Sequence, residues 1–336
     1  MCGRFQSEEE REKHFSATYV VVPDGTSSIP YSEYRNCNDL IGISIPNSVS
    51  LICDCAFSNC FSLTNILIPN NVTFIGKYAF EKCSSLTNIT IPNSVTLIDN
   101  FAFTRCSSLK NIVIPNSVTS IGEGIFFYCS SLTDCSLSDS LIKIPFTTFY
   151  RCSSISNIVF SKSLKFIESS IAYGCESIKN ISIPNTVTEI GDSAFAYCKN
   201  LINISIPNSV ISIGNYVFSG CKLLTNITIP NSVNSFGFSV FQNCSSLTTI
   251  TIPNIIEIIS RLVLFGKTVL NSIDLPPSVK FLNNNTFFEH DINAIIIPNI
   301  ITRINNGVFY YNQDLKYVVI PKSVTVIGDQ VFAAKI

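Results

Sequence analysis

The chain predicts a repeat solenoid of about fourteen coils, each 23 residues long. Three observations lead there. A Pro-Asn turn recurs at a fixed interval, the apolar positions between turns fit neither a helix nor a long strand, and Cys and Phe recur in register with the turn.

The turn proline stands at Pro46, Pro69, Pro92, Pro115, Pro184, Pro207, Pro230, Pro253, Pro276, Pro298 and Pro321, 23 apart with one step of 22 before Pro298. Ser138 and Ser161 fill the two open slots, and Pro23 marks a degenerate first copy starting near Val22. Residues 22–336 therefore read as one array whose last copy stops mid-coil. Units of this kind bury their edges only against their neighbours.

Within one copy the apolar positions are Leu86, Ile89, Ile91, Val95, Ile98 and Phe103. Their uneven spacing suits a coil that turns side chains inward once per circuit. The segment LTNITI is a short strand with Ile89 and Ile91 on one face. Pro92 ends it, because proline cannot donate to a ladder and Pro-Asn-Ser suits a turn. A second arc, SVTLI, follows, and after it many copies place a glycine (Gly76, Gly122, Gly191, Gly214, Gly237, Gly328) where a positive φ is expected. The next arc carries the core aromatic: Phe57, Phe80, Phe103, Phe126, Phe149, Phe195, Phe218, Phe241, Phe287, Phe309 and Phe332. Ala172 and Leu264 occupy the other two slots.

Cys37, Cys60, Cys83, Cys106, Cys129, Cys152, Cys175, Cys198, Cys221 and Cys244 form a ladder without a slip. One thiol per layer, all pointing one way, does not converge as metal ligands do. The expected role is a small buried residue at a corner, and free thiols in this number suit a reducing compartment. Lys267, His290 and Asn312 take over the slot late in the chain. Of the four cysteines off the ladder, Cys53 and Cys55 flank Asp54. That triplet reads as a decorated turn, with an exposed redox or metal spot as the other reading.

Composition excludes several functions. The formal net charge is -1, with no basic footprint for nucleic acid. No apolar run reaches the 18 residues of a membrane span. The start, MCGRFQSEEEREKHF, is charged where a signal peptide is apolar, so the chain reads as made in the cytosol. Ser7 and Glu10 make a capping box, giving residues 1–21 as a charged cap with a short helix. The end, Phe332 to Ile336, exposes an uncapped coil that invites end-to-end self-association.

The recurring pattern L-x-x-I-x-I-P-x-S-V-x-x-I-G-x-x-A-F-x-x-C-S-S resembles the BspA-like, or Treponema pallidum-type, leucine-rich repeat family over residues 22–335. The resemblance implies a right-handed leucine-rich-repeat superhelix with a parallel β-sheet on its concave face. It also implies a protein-binding scaffold, often a surface protein that binds host matrix proteins or other cells. An intracellular interaction scaffold is the alternative, from the free cysteines and the charged start.

The strand pattern places two columns of outward-pointing side chains on the concave face. One runs through Thr90, Ser136, Ser182, Ser205 and Thr228, with Ser44, Leu67, Val113 and Val159 between or before them. The other runs through Asn65, Asn88, Asn111, Asp134, Asn157, Asn180, Asn203 and Asn226. Hydroxyls and amides on a flat, nearly neutral face suit an extended protein partner. Equally, the amides could satisfy each other down the stack. Seven N-x-[ST] sequons occur, and four of them, Asn88, Asn180, Asn203 and Asn226, lie in the amide column. Glycans there would cover that face.

Catalysis has no constellation to work with. His14 and His290 are isolated, glycines occur singly, and no carboxylate pair or zinc motif assembles, so no enzyme, cofactor or metal is expected. The copies that depart most from the consensus are residues 138–180, with Lys143, Arg151, Lys162, Lys165 and Lys179, and residues 254–300. The first, for its local positive charge, is the expected place of a specific contact.

Overall fold

The computed structural model describes residues 17–251, 258–259, 272–275, 278–284, 286–287 and 293–333. The helix expected near Ser7, the Leu264 and His290 slots and the last three residues lie outside this set. The described chain is a parallel β-solenoid of about 12 turns, about 23 residues apart. Three of the fourteen copies counted in sequence fall partly outside the described residues, around 252–271, at 276–277, 285 and 288–292, and at 334–336. It divides into two compact units, residues 1–164 with 174–176, and residues 165–173 with 177–336.

Most coils contribute two very short strands, so each unit carries two columns of parallel strands rather than one. In the first unit the LTNITI segments give Tyr19–Val21, Gly42–Ser44 and Asn65–Ile66, then bridges at Leu67↔Thr90 and Asn88↔Asn111, then Asn111–Val113 with Asp134–Ser136. The SVTLI arc gives a second sheet of Ser28–Ile29, Leu51–Ile52, Phe74–Ile75, Leu97–Ile98 and Ser120–Ile121. In the second unit the same two columns recur, for example Asn180–Ser182 with Asn203–Ser205, and Glu189–Ile190 with Ser212–Ile213. Pairing joins residues one copy apart, such as Val21↔Ser44 and Ile75↔Ile98. A one-residue slip would turn every inward Ile outward, so the hydrophobic pattern locks this register.

The Phe arc is held without strands, by alternation of the backbone donors. Tyr78, Phe80 and Lys82 donate their N–H groups to the carbonyls of Asn100, Ala102 and Thr104 in the next coil. Ala79, Glu81 and Cys83 donate back to Gly76, Tyr78 and Phe80 within their own coil. The alternation needs a left-handed residue at each end of the arc, and non-glycine residues supply it: Tyr78 at φ 55° and Lys82 at φ 56°, then Phe101 at 56° and Arg105 at 60°. Such residues cost on the order of 1 kcal/mol or more each and persist where surrounding bonds over-determine them.

The glycines after the second arc therefore differ from expectation, since Gly76, Gly122, Gly191, Gly214, Gly237 and Gly328 are absent from the positive-φ positions. Crowding explains them instead. A Cβ on Gly76 would lie 2.6 Å from Asp54 N and 2.7 Å from Cys53 C, backbone atoms of the preceding coil. Gly76→Ala is expected to force the coils apart at a cost of about 1–3 kcal/mol, read as a lowered melting temperature. An unchanged melt would show that the coils yield there freely.

The second-arc sheet is interrupted between Ile121 and Phe166, and the first-arc sheet between Ser136 and Asn180. Pro145 stands in the glycine slot and has no N–H for the bond that Gly122 donates to Ile98 O one coil earlier. The lost turn prolines do not break the corner: Ser138 O and Ser161 O still accept from Leu141 N and Leu164 N, as Pro115 O accepts from Val118 N.

The core is a set of columns. In the first unit Tyr34, Phe57, Phe80, Phe103, Phe126 and Phe149 stack with ring centroids 5.4, 5.3, 5.4, 6.0 and 5.8 Å apart. Tyr34 thus fills a slot where the sequence reading sought only Phe. In the second unit Phe195, Phe218 and Phe241 stack likewise, and Ala172 is fully buried in its slot.

A candidate binding face and the cysteine ladder

The outward strand columns are built by the pleat, since neighbours of each inward Ile point the other way. Asn65, Asn88, Asn111, Asp134, Asn157, Asn180, Asn203 and Asn226 are all exposed, as are Thr90, Ser136, Ser182, Ser205 and Thr228. Each unit displays its own part of these columns. Among the described residues, no amide of this column bonds to the amide above or below it. Asn88 Nδ2 instead donates to Thr87 Oγ1 at 3.4 Å, and Asn226 Nδ2 to Thr225 Oγ1 at 3.2 Å. Thr133 Oγ1 lies 3.4 Å from Asn111 Oδ1. The expected amide ladder is therefore not what occupies these side chains, and their remaining donors and acceptors face solvent.

Side-chain laddering occurs at a different corner, where sequence reading had not sought it. Asp54 Oδ1 accepts from Lys77 N at 2.9 Å, Asn100 Oδ1 from Glu123 N at 2.7 Å, and Asp192 Oδ1 from Asn215 N at 2.7 Å. The turn reading of Cys53-Asp54-Cys55 fits this: Asp54 caps the next coil, and the two thiols are half-buried beside it. Burial raises the Cys55 thiol above its ordinary pKa.

The cysteine ladder is a hydrogen-bonding device as well as a packing one. Cys83 Sγ donates to Phe57 O at 3.2 Å, Cys106 Sγ to Phe80 O at 3.1 Å and Cys129 Sγ to Phe103 O at 3.1 Å. In the second unit Cys221 and Cys244 do the same to Phe195 O and Phe218 O. Each of these thiols ties one coil to the Phe carbonyl of the coil before, and where that slot holds Tyr34 or Ala172, Cys60 and Cys198 donate to its carbonyl instead. Asn312, which replaces Cys in a late copy, donates its amide to Phe287 O in the same way. That replacement shows what the slot requires: a compact donor. None of the thirteen described cysteines forms a disulfide. Burial pushes the ladder thiols up, Cys37 to about 11 and Cys244 to about 12, with Cys83, Cys106, Cys129, Cys152 and Cys221 well above the ordinary value. Such thiols are protonated and inert as nucleophiles at neutral pH. Among the described residues, no three His, Cys, Asp or Glu side chains come together as a metal site.

The divergent segment does contain a cleft, inside the first unit. About 880 Å³ opens where the sheets are interrupted, with Leu141, Ile144 and Phe160 on its floor and Asn116, Asp139 and Lys162 on its rim. Of the positive side chains expected in this segment, Lys162 lines the cleft. Arg151 instead lies over Tyr128, 5.9 Å from the ring centre, which Arg105 also approaches at 5.6 Å. Lys165 and Lys179 belong to the second unit.

Comparison with known proteins adds a family. A profile of the BspA type leucine rich repeat region, in six copies, matches residues 12–133, 75–201, 121–248 and 238–335. A leucine-rich repeat protein from Bacteroides ovatus is similar over 92% of this chain and 82% of its own, at 29% identity and a TM-score of 0.80. A leucine rich cell surface protein from Faecalibacterium prausnitzii is 26% identical over 90% of this chain and 88% of its own, with a TM-score of 0.56. The pneumococcal vaccine antigen PcpA shares the fold at 20% identity, 94% and 90% coverage and a TM-score of 0.58. Among curated proteins, no sequence matches the chain.

Proposed function

The chain belongs to the BspA-type leucine-rich repeat family, and on that premise we propose that it is a non-catalytic scaffold that recognises an extended protein partner at a cell surface through its outward strand columns. The supporting observation is the face itself. Two columns of amides and hydroxyls are exposed in register, and their amides are not used up in bonds to one another. The Phe-arc backbone, the ladder thiols and the Asp54 corner are bound to neighbouring coils, whereas this face keeps exposed hydrogen-bonding groups. The similar protein named a cell surface protein supports the surface part of the reading.

The test is binding of bead-displayed protein to a panel of extracellular-matrix proteins. Asn88→Lys with Thr90→Glu changes only exposed side chains and is expected to weaken capture at least ten-fold. Equal capture by the variant would sink the proposal.

A second reading, an intracellular scaffold, is favoured by a ladder of buried thiols that forms no disulfide among the described residues. The intact mass of native protein separates the two. Added glycan mass at Asn88, Asn180, Asn203 and Asn226 supports passage through a secretory route but rules out binding through that face.

A further inference from the structure

The central outward column of the first unit is not uniform. It runs Val21, Ser44, Leu67, Thr90, Val113, Ser136, Val159, alternating a large apolar side chain with a hydroxyl at every step. The register is explicit at Val21↔Ser44, Leu67↔Thr90 and Val113↔Ser136. The four apolar members are unusually open for their type, at 68%, 75%, 62% and 68% exposure. The second unit lacks the alternation, with Ser182, Ser205, Thr228 and Thr251 in succession.

Apolar teeth on every second rung repeat at about 9.4–9.8 Å, twice the spacing of paired strands. That length selects among partners. An extended strand repeats one face about every 6.6–6.8 Å, so its side chains fall out of step at the second tooth. An α-helix returns a residue to one face after about 10.5 Å, and slips by roughly 3 Å over three intervals. A polyproline II segment repeats every three residues at about 9.3 Å and slips by only about 1 Å across all four teeth.

The chemistry between the teeth agrees. A proline-rich segment has bare carbonyls, few N–H groups and no internal hydrogen bonds, so it needs donors from its partner. Ser44, Thr90 and Ser136 place a hydroxyl between successive teeth, and the flanking column offers the amides of Asn65, Asn88 and Asn111. Asp134 is the only charge in these two columns of the unit, which matches an uncharged ligand.

We infer that the first unit's strand face binds a single-chain, proline-rich segment in polyproline II conformation, with a proline at every third position seated against Val21, Leu67, Val113 and Val159. The inference rests on the reading of the strand face as the contact surface, and names its partner class. The experiment is a fluorescence-polarisation titration of the full chain with three labelled peptides. One is a twelve-residue peptide with proline at every third position, one has the same composition scrambled, and one is a helical peptide with leucine at every seventh position. The periodic peptide is expected to bind at least ten-fold tighter than either of the others. Leu67→Ser with Val113→Ser should lose that preference while the melting temperature holds, and Ser182→Ala with Ser205→Ala should keep it. Equal binding of the periodic and scrambled peptides, stronger binding of the helical one, or an unaffected double serine variant would each overturn the inference. If the peptides fail while Asn88→Lys with Thr90→Glu still abolishes matrix capture, the scaffold reading stands and only its polyproline partner is lost.

Discussion

Raising the pH from 8 to 10 in the presence of reductant is expected to unfold the cysteine-laddered coils cooperatively. Desolvation holds the ladder thiols above their ordinary pKa, to about 11 at Cys37 and about 12 at Cys244, and well above the ordinary value at Cys83, Cys106 and Cys129. An unfolded thiol ionises near pH 8.5. Below that value both states keep the proton and folding loses nothing. Above it the unfolded chain releases protons that the folded chain retains, so stability falls with pH until the folded-state pKa is reached. Each such thiol removes about 1.4 kcal/mol per pH unit in that window. Several act together, and buried Tyr34, also raised by desolvation, adds to the trend at higher pH. Far-UV circular dichroism against pH should show a steep loss of structure between about pH 9 and 10. A flat profile to pH 10 would mean that the thiols are not sequestered as the structure has them.

Phe103→Ala is expected to lower the stability of the first unit by roughly 3–5 kcal/mol. Phe103 is fully buried between Phe80 at 5.4 Å and Phe126 at 6.0 Å, so its loss breaks two stacking contacts and leaves a cavity. Neighbour coupling makes the cost larger than the local one: a solenoid depends on each interface, and a weak coil lets the array come apart there. The check is a thermal melt against wild type, with exposed Val113→Ser as a comparison expected to stay within about 0.5 kcal/mol. A Phe103→Ala melt that matches wild type would refute the inward placement of the column.

The face and the core were legible in sequence for the same reason. A strict period tells which residues are equivalent, and alternation around Ile89 and Ile91 tells which of them point out. Thr90 and Asn88 on the outside, and Phe80 and Cys83 on the inside, follow from those two facts. Which group each ladder thiol bonds to was not legible, because an S–H to carbonyl bond depends on where the previous coil's carbonyl lies. The amide column was half-legible: copies repeat the residue, but whether amides reach one another depends on side-chain direction. Arg151 was placed near a positive cluster in sequence, whereas in the fold its partner is Tyr128 from the preceding copy.

By itself, the sequence determined the period, the register and the division of each coil into inward and outward residues, because these are properties of one coil repeated. Only the tertiary structure decided what passes between coils. It showed that Gly76 is demanded by a neighbouring backbone rather than by its own φ, and that Tyr78 and Lys82 take the left-handed corners. It showed that Pro145 breaks a sheet by lacking one N–H. It also turned scattered residues, Val21, Leu67 and Val113, into one row on every second paired rung. Each of these depends on distances of a few ångströms between atoms a full copy apart, and those are set by how the coils stack.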